Sequence, residues 1–136
     1  MSDSSRRQFL AGAATLSAAA AIGTAQAAED CSSLPPVVHK VYFWLKNPDS
    51  KEDREQLIAG LKSLGAIEQV KGIHIGVPAS TEQRDVVDNS YQVSELLLFN
   101  SAAEQDAYQV DPIHLKFVEQ CSHLWSKVVV YDSIAV

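Results

Sequence analysis

Only two cysteines, Cys31 and Cys121, occur in the 136 residues. A thiolate metal site needs a second pair to complete its ligand set, and this chain has none. Glycine is sparse and dispersed, six in all, so no glycine-rich loop is available to cradle a phosphate. Basic runs are absent and the charge balance is acidic, with 11 Lys and Arg against 17 Asp and Glu and a net charge of -6. Such a surface repels phosphate backbones and anionic headgroups, which argues against nucleic-acid and membrane partners. The uncharged stretch from Ala11 to Ala25 is too short and too rich in Ala and Gly to hold a bilayer. Internal repeats and low-complexity tracts are missing as well. What is present is an ordinary apolar fraction of 46%, enough for one small core and at odds with disorder.

The N-terminal stretch Ser5-Arg6-Arg7-Gln8-Phe9-Leu10 precedes that uncharged run, and Ala25-Gln26-Ala27 puts small residues at both subsites of a cleavage site. This pattern resembles a twin-arginine export signal. Removal of residues 1–27 would leave 136 − 27 = 109 residues and take away Asp3, Arg6 and Arg7, giving a net charge of 9 − 16 = -7. Glu29 and Asp30 stand before Cys31, where a lipidation site needs small or apolar residues. The expectation is a soluble periplasmic protein with a tail over 28–36, marked by Pro35-Pro36, and one domain over 37–134. In an oxidising compartment Cys31 and Cys121 either pair, or Cys121 is a small core residue and Cys31 lies in the tail; spacing leaves both open.

Val37 to Lys46 is rich in β-branched and aromatic residues and predicts a strand with His39, Val41, Phe43 and Leu45 on one face and Val38, Lys40, Tyr42 and Trp44 on the other. Asn47-Pro48 ends it. Asp49 with Glu52 predicts a helix start, Leu57, Ile58, Leu61 and Leu64 recur at helical spacing, and Gly65 suits the stop. Strands follow over Val70–Val77 and Tyr91–Phe99, separated by a polar loop. Ile73, Ile75 and Val77 share one face of the first, and Gly72, His74 and Gly76 the other. Ser101 and Glu104 open a short helix through Tyr108, Asp111-Pro112 starts another to about Cys121, and Trp125–Tyr131 closes as a strand. Strand, helix, strand, strand, split helix, strand is the split βαβ pattern: an α+β, ferredoxin-like domain whose four-stranded antiparallel sheet carries helices on one face. The other face keeps apolar mass, and burying it against a copy of itself predicts a two-fold homodimer anchored by Tyr42 and Trp44.

Val38-His39-Lys40-Val41-Tyr42-Phe43, Gly72-Ile73-His74-Ile75-Gly76, Tyr108-Gln109-Val110-Asp111-Pro112-Ile113-His114 and Trp125 to Asp132 together resemble the stress-responsive dimeric α+β barrel family over roughly residues 37 to 133. The resemblance implies a dimer whose two sheets form a barrel-like core, with a small-molecule pocket between sheet and helices in each subunit. A plant polyketide cyclase of this family implies further that Tyr108 and His114, at the shared Tyr-x5-His spacing, act on a substrate and that His39 lines the pocket. The chain departs from that pattern at Val93, where a histidine is expected, and at Asp111, where the family commonly has histidine.

The residues themselves can do this chemistry. His114 falls at the third position of a helix capped by Asp111, where the positive dipole end disfavours imidazolium and keeps a neutral base, while the Asp111 carboxylate pulls the other way. Tyr108 can donate to a developing oxyanion, and Phe43, His74 and Trp125 are candidate lining residues. His39, His74 and His114 lack the close spacing of a metal or haem site, so no metal or cofactor is expected. His123 reads as a solvated or capping residue, and Arg84-Asp85 as a surface pair. Two functions follow: a cofactor-independent acid–base enzyme acting on a small, partly apolar carbonyl or phenolic compound, with His114 as base, Tyr108 as donor and His39 as orienter, or a non-catalytic dimeric module for a small hydrophobic ligand or a structural stress role.

Overall fold

The computed structural model describes residues 34–136. The stretch expected to be an export signal, the expected cleavage site and Cys31 lie outside the described residues. The first strand, β1 (Val37–Leu45), alternates strictly between buried and half-buried side chains, as expected for a strand with one face on a core. Helix α1 (Lys51–Ser63) follows, capped by Ser50, whose side chain accepts from the Asp53 backbone N–H. That differs from the cap expected at Asp49, because the chain turns one residue later. The helix runs into a single 3-10 turn over Leu64–Ala66 that contains Gly65. Strand β2 (Gly72–Gly76) is shorter than Val70–Val77, and Val77 lies beyond its end and is exposed.

Strand β3 (Val93–Phe99) is followed by α2 (Ala102–Gln109), α3 (Pro112–Cys121) and a 3-10 turn over Ser122–Leu124. Ser101 and Asp111 cap the two helices, accepting from Glu104 N and Ile113 N. Pro112, which lacks an N–H, takes the first helical position, where none is needed. Strand β4 (Trp125–Ile134) runs three residues past Tyr131, held along β1 to the pair Val37 and Ile134.

The sheet order is β2-β3-β1-β4, all neighbours antiparallel. This is the ferredoxin-like arrangement. Register settles which residues share a face: His39 stands opposite both Leu97 and Asp132, Val41 opposite both Glu95 and Val130, and Ile75 opposite Glu95. The core lies on that face, where Val41, Phe43, Leu45, Val93, Leu97 and Phe99 of the sheet meet Leu57, Leu61, Tyr108, Phe117 and Cys121 of the helices. Close helix contact depends on Gly60 of α1: a Cβ there would stand 2.6 Å from Cys121 Sγ and 3.1 Å from Phe117 Cδ2. The opposite face carries Lys40, Tyr42, Trp44, Leu96 and Leu98. Among the described residues, no helix is long and apolar enough to cross a membrane.

Candidate functional site

The first and last strands build the centre of the site. Because β1 and β4 are paired with His39 opposite Asp132, the two side chains emerge on the same face within reach. His39 Nδ1–H donates to Asp132 Oδ1 at 2.6 Å; a carboxylate only accepts, so the proton belongs on Nδ1. The Gln105 side-chain amide lies 3.2 Å from the same nitrogen, where its carbonyl end, and not its NH2, suits a protonated Nδ1. The His39 side chain is 6% exposed and that of Asp132 49%, so the pair runs from the core to the surface. A groove of about 370 Å³ opens there between β4 and α2, lined by Val37, Ala102, Gln105, Asp106, Asp132, Ser133 and Ile134.

Tyr108, near the end of α2, is fully buried. Its ring stands edge-on to His39 at 5.9 Å between centroids and packs at 5.2 Å on Phe99 and 4.5 Å on His114. The turn between α2 and α3 makes this meeting possible, since it reverses the chain between Tyr108 and His114. His114 Nδ1–H donates to the Gln109 carbonyl at 3.0 Å, which leaves Nε2 of the neutral ring with its lone pair. Burial holds the His114 imidazole below its ordinary pKa and the nearby His39 adds to this, while the Gln109 carbonyl and the Asp111 carboxylate oppose it. The net direction is that of a neutral base near pH 7.

A third group lies beneath them. Glu95 projects from β3 into the core, 4% exposed, and lies close enough to the Tyr108 phenol for each to influence the other's ionisation. Its Oε1 is buried with no hydrogen-bond partner. Burial pushes the Glu95 carboxyl up to about 8 against the pull of the Tyr108 phenol, so the acid is mostly protonated at neutral pH. Burial, followed by the charge of the nearby Glu95, pushes the Tyr108 phenol up as well.

The structure therefore brings Tyr108, His114 and His39 together, and Phe117, 6.4 Å from His114, leads on to Trp125 and Phe43 on the same side of the sheet. Phe43 and Trp125 stack at 5.2 Å, with Phe117 at 5.9 Å from Trp125; Phe43 is buried and Trp125 packs against the same core. His74 pairs with Leu96 on the opposite face of the sheet, away from the cluster, and its ring lies over Gly76. The three histidines do not converge. His123 sits exposed in the turn before β4.

The sheet's open face carries its own groove, about 520 Å³, between the strands and the loop after β2, lined by Lys40, Tyr42, Trp44, Val86, Asp88, Tyr91 and Tyr131. Tyr42 meets Tyr91 and Tyr131 edge-on. Trp44 Nε1–H donates to Ser90 Oγ at 3.1 Å, Ser90 Oγ donates to Asp88 at 2.6 Å, and the Lys127 ammonium lies 4.5 Å over the Trp44 ring.

Sequence reasoning missed Asp132, Gln105 and Glu95. Asp132 becomes visible only once β1 and β4 are placed in register. Glu95 did carry a signal, a lone acid inside Val93-Ser94-Glu95-Leu96-Leu97-Leu98-Phe99 at an inward-facing position.

Residues 37–135 match the Stress responsive A/B Barrel Domain, abbreviated Dabb. The chain belongs to this family. No functionally curated protein matches it, but solved structures do. The Arabidopsis thaliana protein At3g17210 is 27% identical, with 74% of this chain and 96% of that one covered and a TM-score of 0.63. A hydroxynitrile lyase from Passiflora edulis is 23% identical over 75% of this chain and 95% of its own, also with a TM-score of 0.63. A protein from Thermobifida fusca, described as dimeric, ferredoxin-like and of unknown function, is 18% identical over 72% and 89%, with a TM-score of 0.60. The Dabb fold and its split βαβ order thus agree with the sequence-based expectation.

Proposed function

We propose that this Dabb protein is an exported, homodimeric, cofactor-independent acid–base enzyme acting on a small, partly apolar carbonyl or phenolic compound. One observation carries the reading. Both imidazoles that flank Tyr108 have Nδ1 engaged, His39 by Asp132 and His114 by the Gln109 carbonyl, so in each ring Nε2 is the nitrogen left to exchange a proton with a substrate. His114, half-buried and held below its ordinary pKa, is the base. Tyr108 is the donor to the oxygen on which charge develops, and His39, oriented by Asp132, completes the site. The Passiflora edulis hydroxynitrile lyase is in keeping with this class: cleaving a hydroxynitrile takes a proton from its hydroxyl, breaks the carbon–carbon bond to cyanide and leaves a carbonyl compound. Dimerisation is supported by the description of the Thermobifida fusca relative as dimeric, and export by the twin-arginine pattern at Arg6-Arg7.

Mandelonitrile cleavage and deuterium exchange α to the carbonyl of aryl ketones are suitable assays. His114→Ala is expected to lower either rate at least about 100-fold with the fold intact, and equal rates in variant and wild type would refute the assignment. The second reading, a ligand-binding module without catalysis, has support in the complete burial of Tyr108. It predicts an organic mass retained by the dimer in native mass spectrometry with no turnover of either probe. Replacing Arg6 and Arg7 by Lys is expected to hold the protein in the cytoplasm of a host with the twin-arginine route, and periplasmic recovery of that variant would count against export by this path.

A further inference from the structure

The groove on the open face of the sheet takes no part in the proposed chemistry, and opposite charges stand at its two ends. Lys40, Tyr42 and Trp44 follow one another on that face of β1, so Lys40 and Trp44 lie about 13 Å apart with Tyr42 midway. At the first end the Lys40 ammonium donates to the Ser133 hydroxyl at 3.5 Å. At the second, Asp88 is tied to Trp44 through Ser90: Trp44 Nε1–H donates to Ser90 Oγ at 3.1 Å. Ser90 in turn gives its hydroxyl proton, at 2.6 Å, and its backbone N–H, at 3.0 Å, to Asp88 Oδ1. Between the ends the Tyr42 ring meets Tyr91 and Tyr131 edge to face. All of these but Ser90 and Ser133 line the groove.

Among the described residues, neither Lys40 nor Asp88 forms a salt bridge. The Lys127 ammonium, at the Asp88 end, lies over the Trp44 ring instead, 4.5 Å from its centre. By alternation and register the charged side chains that the strands place on this face are Lys40 and Lys127. Two such sheets laid face to face would confront four ammonium groups, and like charges across an interface weaken it. The loop after β2 brings one carboxylate per subunit to the same face, on Asp88.

A surface that meets its own copy about a two-fold axis must be complementary to itself, so what stands at one end meets what stands at the other. A cation, a central ring and an anion in a row satisfy that condition. We propose that Lys40 pairs with Asp88 of the partner subunit, twice, about an axis that lies in the face and crosses β1 at a right angle at Tyr42. An axis along β1 would instead set Lys40 against Lys40 of the partner subunit. The inference rests on the homodimer reading, and it adds which charges meet and that the two β1 strands run antiparallel across the interface.

The test reverses the charges on the full-length protein. A homodimer of Lys40→Glu, or of Asp88→Lys, holds two like-charge contacts, and each variant is expected to dimerise at least about tenfold more weakly than wild type in sedimentation equilibrium. Mixing the two variants restores opposite charges at both contacts, so native mass spectrometry of the mixture is expected to show the heterodimer well in excess of random pairing. The double variant is expected to dimerise as wild type does. A pair formed inside one chain would be rescued in the double variant but not by mixing. Single variants that dimerise like wild type, or a mixture without excess heterodimer, overturn the pairing and leave the homodimer standing. Wild type that is monomeric at every concentration overturns the homodimer reading, and the proposal with it. Salt tests the pair without any substitution: the wild-type dimer is expected to weaken between about 0.05 M and 0.5 M sodium chloride, and a dimer indifferent to salt overturns the pairing.

Discussion

Gly60 and Cys121 show how much can depend on one missing carbon. Alanine is the better helix former by about 1 kcal/mol, yet a Cβ at position 60 would stand 2.6 Å from Cys121 Sγ and 3.1 Å from the Phe117 ring. Neither neighbour has room to retreat, since both are buried. Gly60→Ala is therefore expected to destabilise the protein by about 1–3 kcal/mol, and Cys121→Ala in the same chain should recover part of that loss. Urea denaturation of the two single variants and the double variant checks it, and strict additivity would show that the two residues do not meet. Glu95 has its own signature in stability. Its carboxyl is raised from 4.5 to about 8 on folding, so the folded state binds the extra proton between these values. That contribution is fully present below about pH 4.5 and is lost as pH rises through about 8, with a slope of at most about 1.4 kcal/mol per pH unit. Glu95→Gln is expected to flatten this limb in denaturation midpoints taken across the range. His114 acts with the opposite sign: its pKa is lowered, so its contribution is present above the ordinary histidine range and fades as pH falls through the folded value.

Among the elements, α3 joins structure to chemistry. Asp111 accepts from Ile113 N at 2.8 Å, and the helix it starts carries His114 to Tyr108. Asp111→Ala should cost about 1 kcal/mol through the lost cap. It should also lower the His114 pKa further, because the Asp111 carboxylate is one of the two influences that raise it. Titration of the His114 ring by NMR reads that shift, and an upward move would contradict the picture. The same element shows what a sequence makes legible. A proline at the first helical position, an acid before it and a Tyr-x5-His spacing are local, so α3, Tyr108 and His114 can be read from the chain. The faces of β1 were equally readable, because alternation is local too. The Ser50 cap, the short β2 and the long β4 depend on where neighbouring strands end, which no local pattern records. Asp132 and Glu95 belong to the same class. An acid next to the C-terminal end of a strand looks solvated, and an acid among leucines looks out of place, until register puts one against His39 and the other under Tyr108. His74 is the converse: its alternation with Ile73 and Ile75 was visible, and it is this alternation that takes it out of the site.

For the whole molecule, the open sheet face is the feature that a single chain leaves unfinished. Tyr42, Trp44, Leu96 and Tyr131 lie across it, and the homodimer proposed above would cover it. Trp44→Asp and Leu96→Asp, each placing a charge on that face, are expected to yield monomers or unfolded protein in light scattering after size exclusion, whereas His114→Ala should elute as wild type. A dimer that survives both acidic replacements would mean that the subunits meet elsewhere.

The His39–Asp132 bond spans 93 residues of chain, joining the first strand to the last. During synthesis His39 leaves the ribosome long before its partner exists, and β1 must wait with one edge unpaired until β4 arrives. The proposed acid–base centre thus comes into being only when the sheet closes. A nascent or C-terminally clipped chain that ends before Asp132 keeps every histidine and Tyr108 but lacks the carboxylate bonded to His39, so loss of the final strand is expected to silence the proposed centre before any of its other residues are touched.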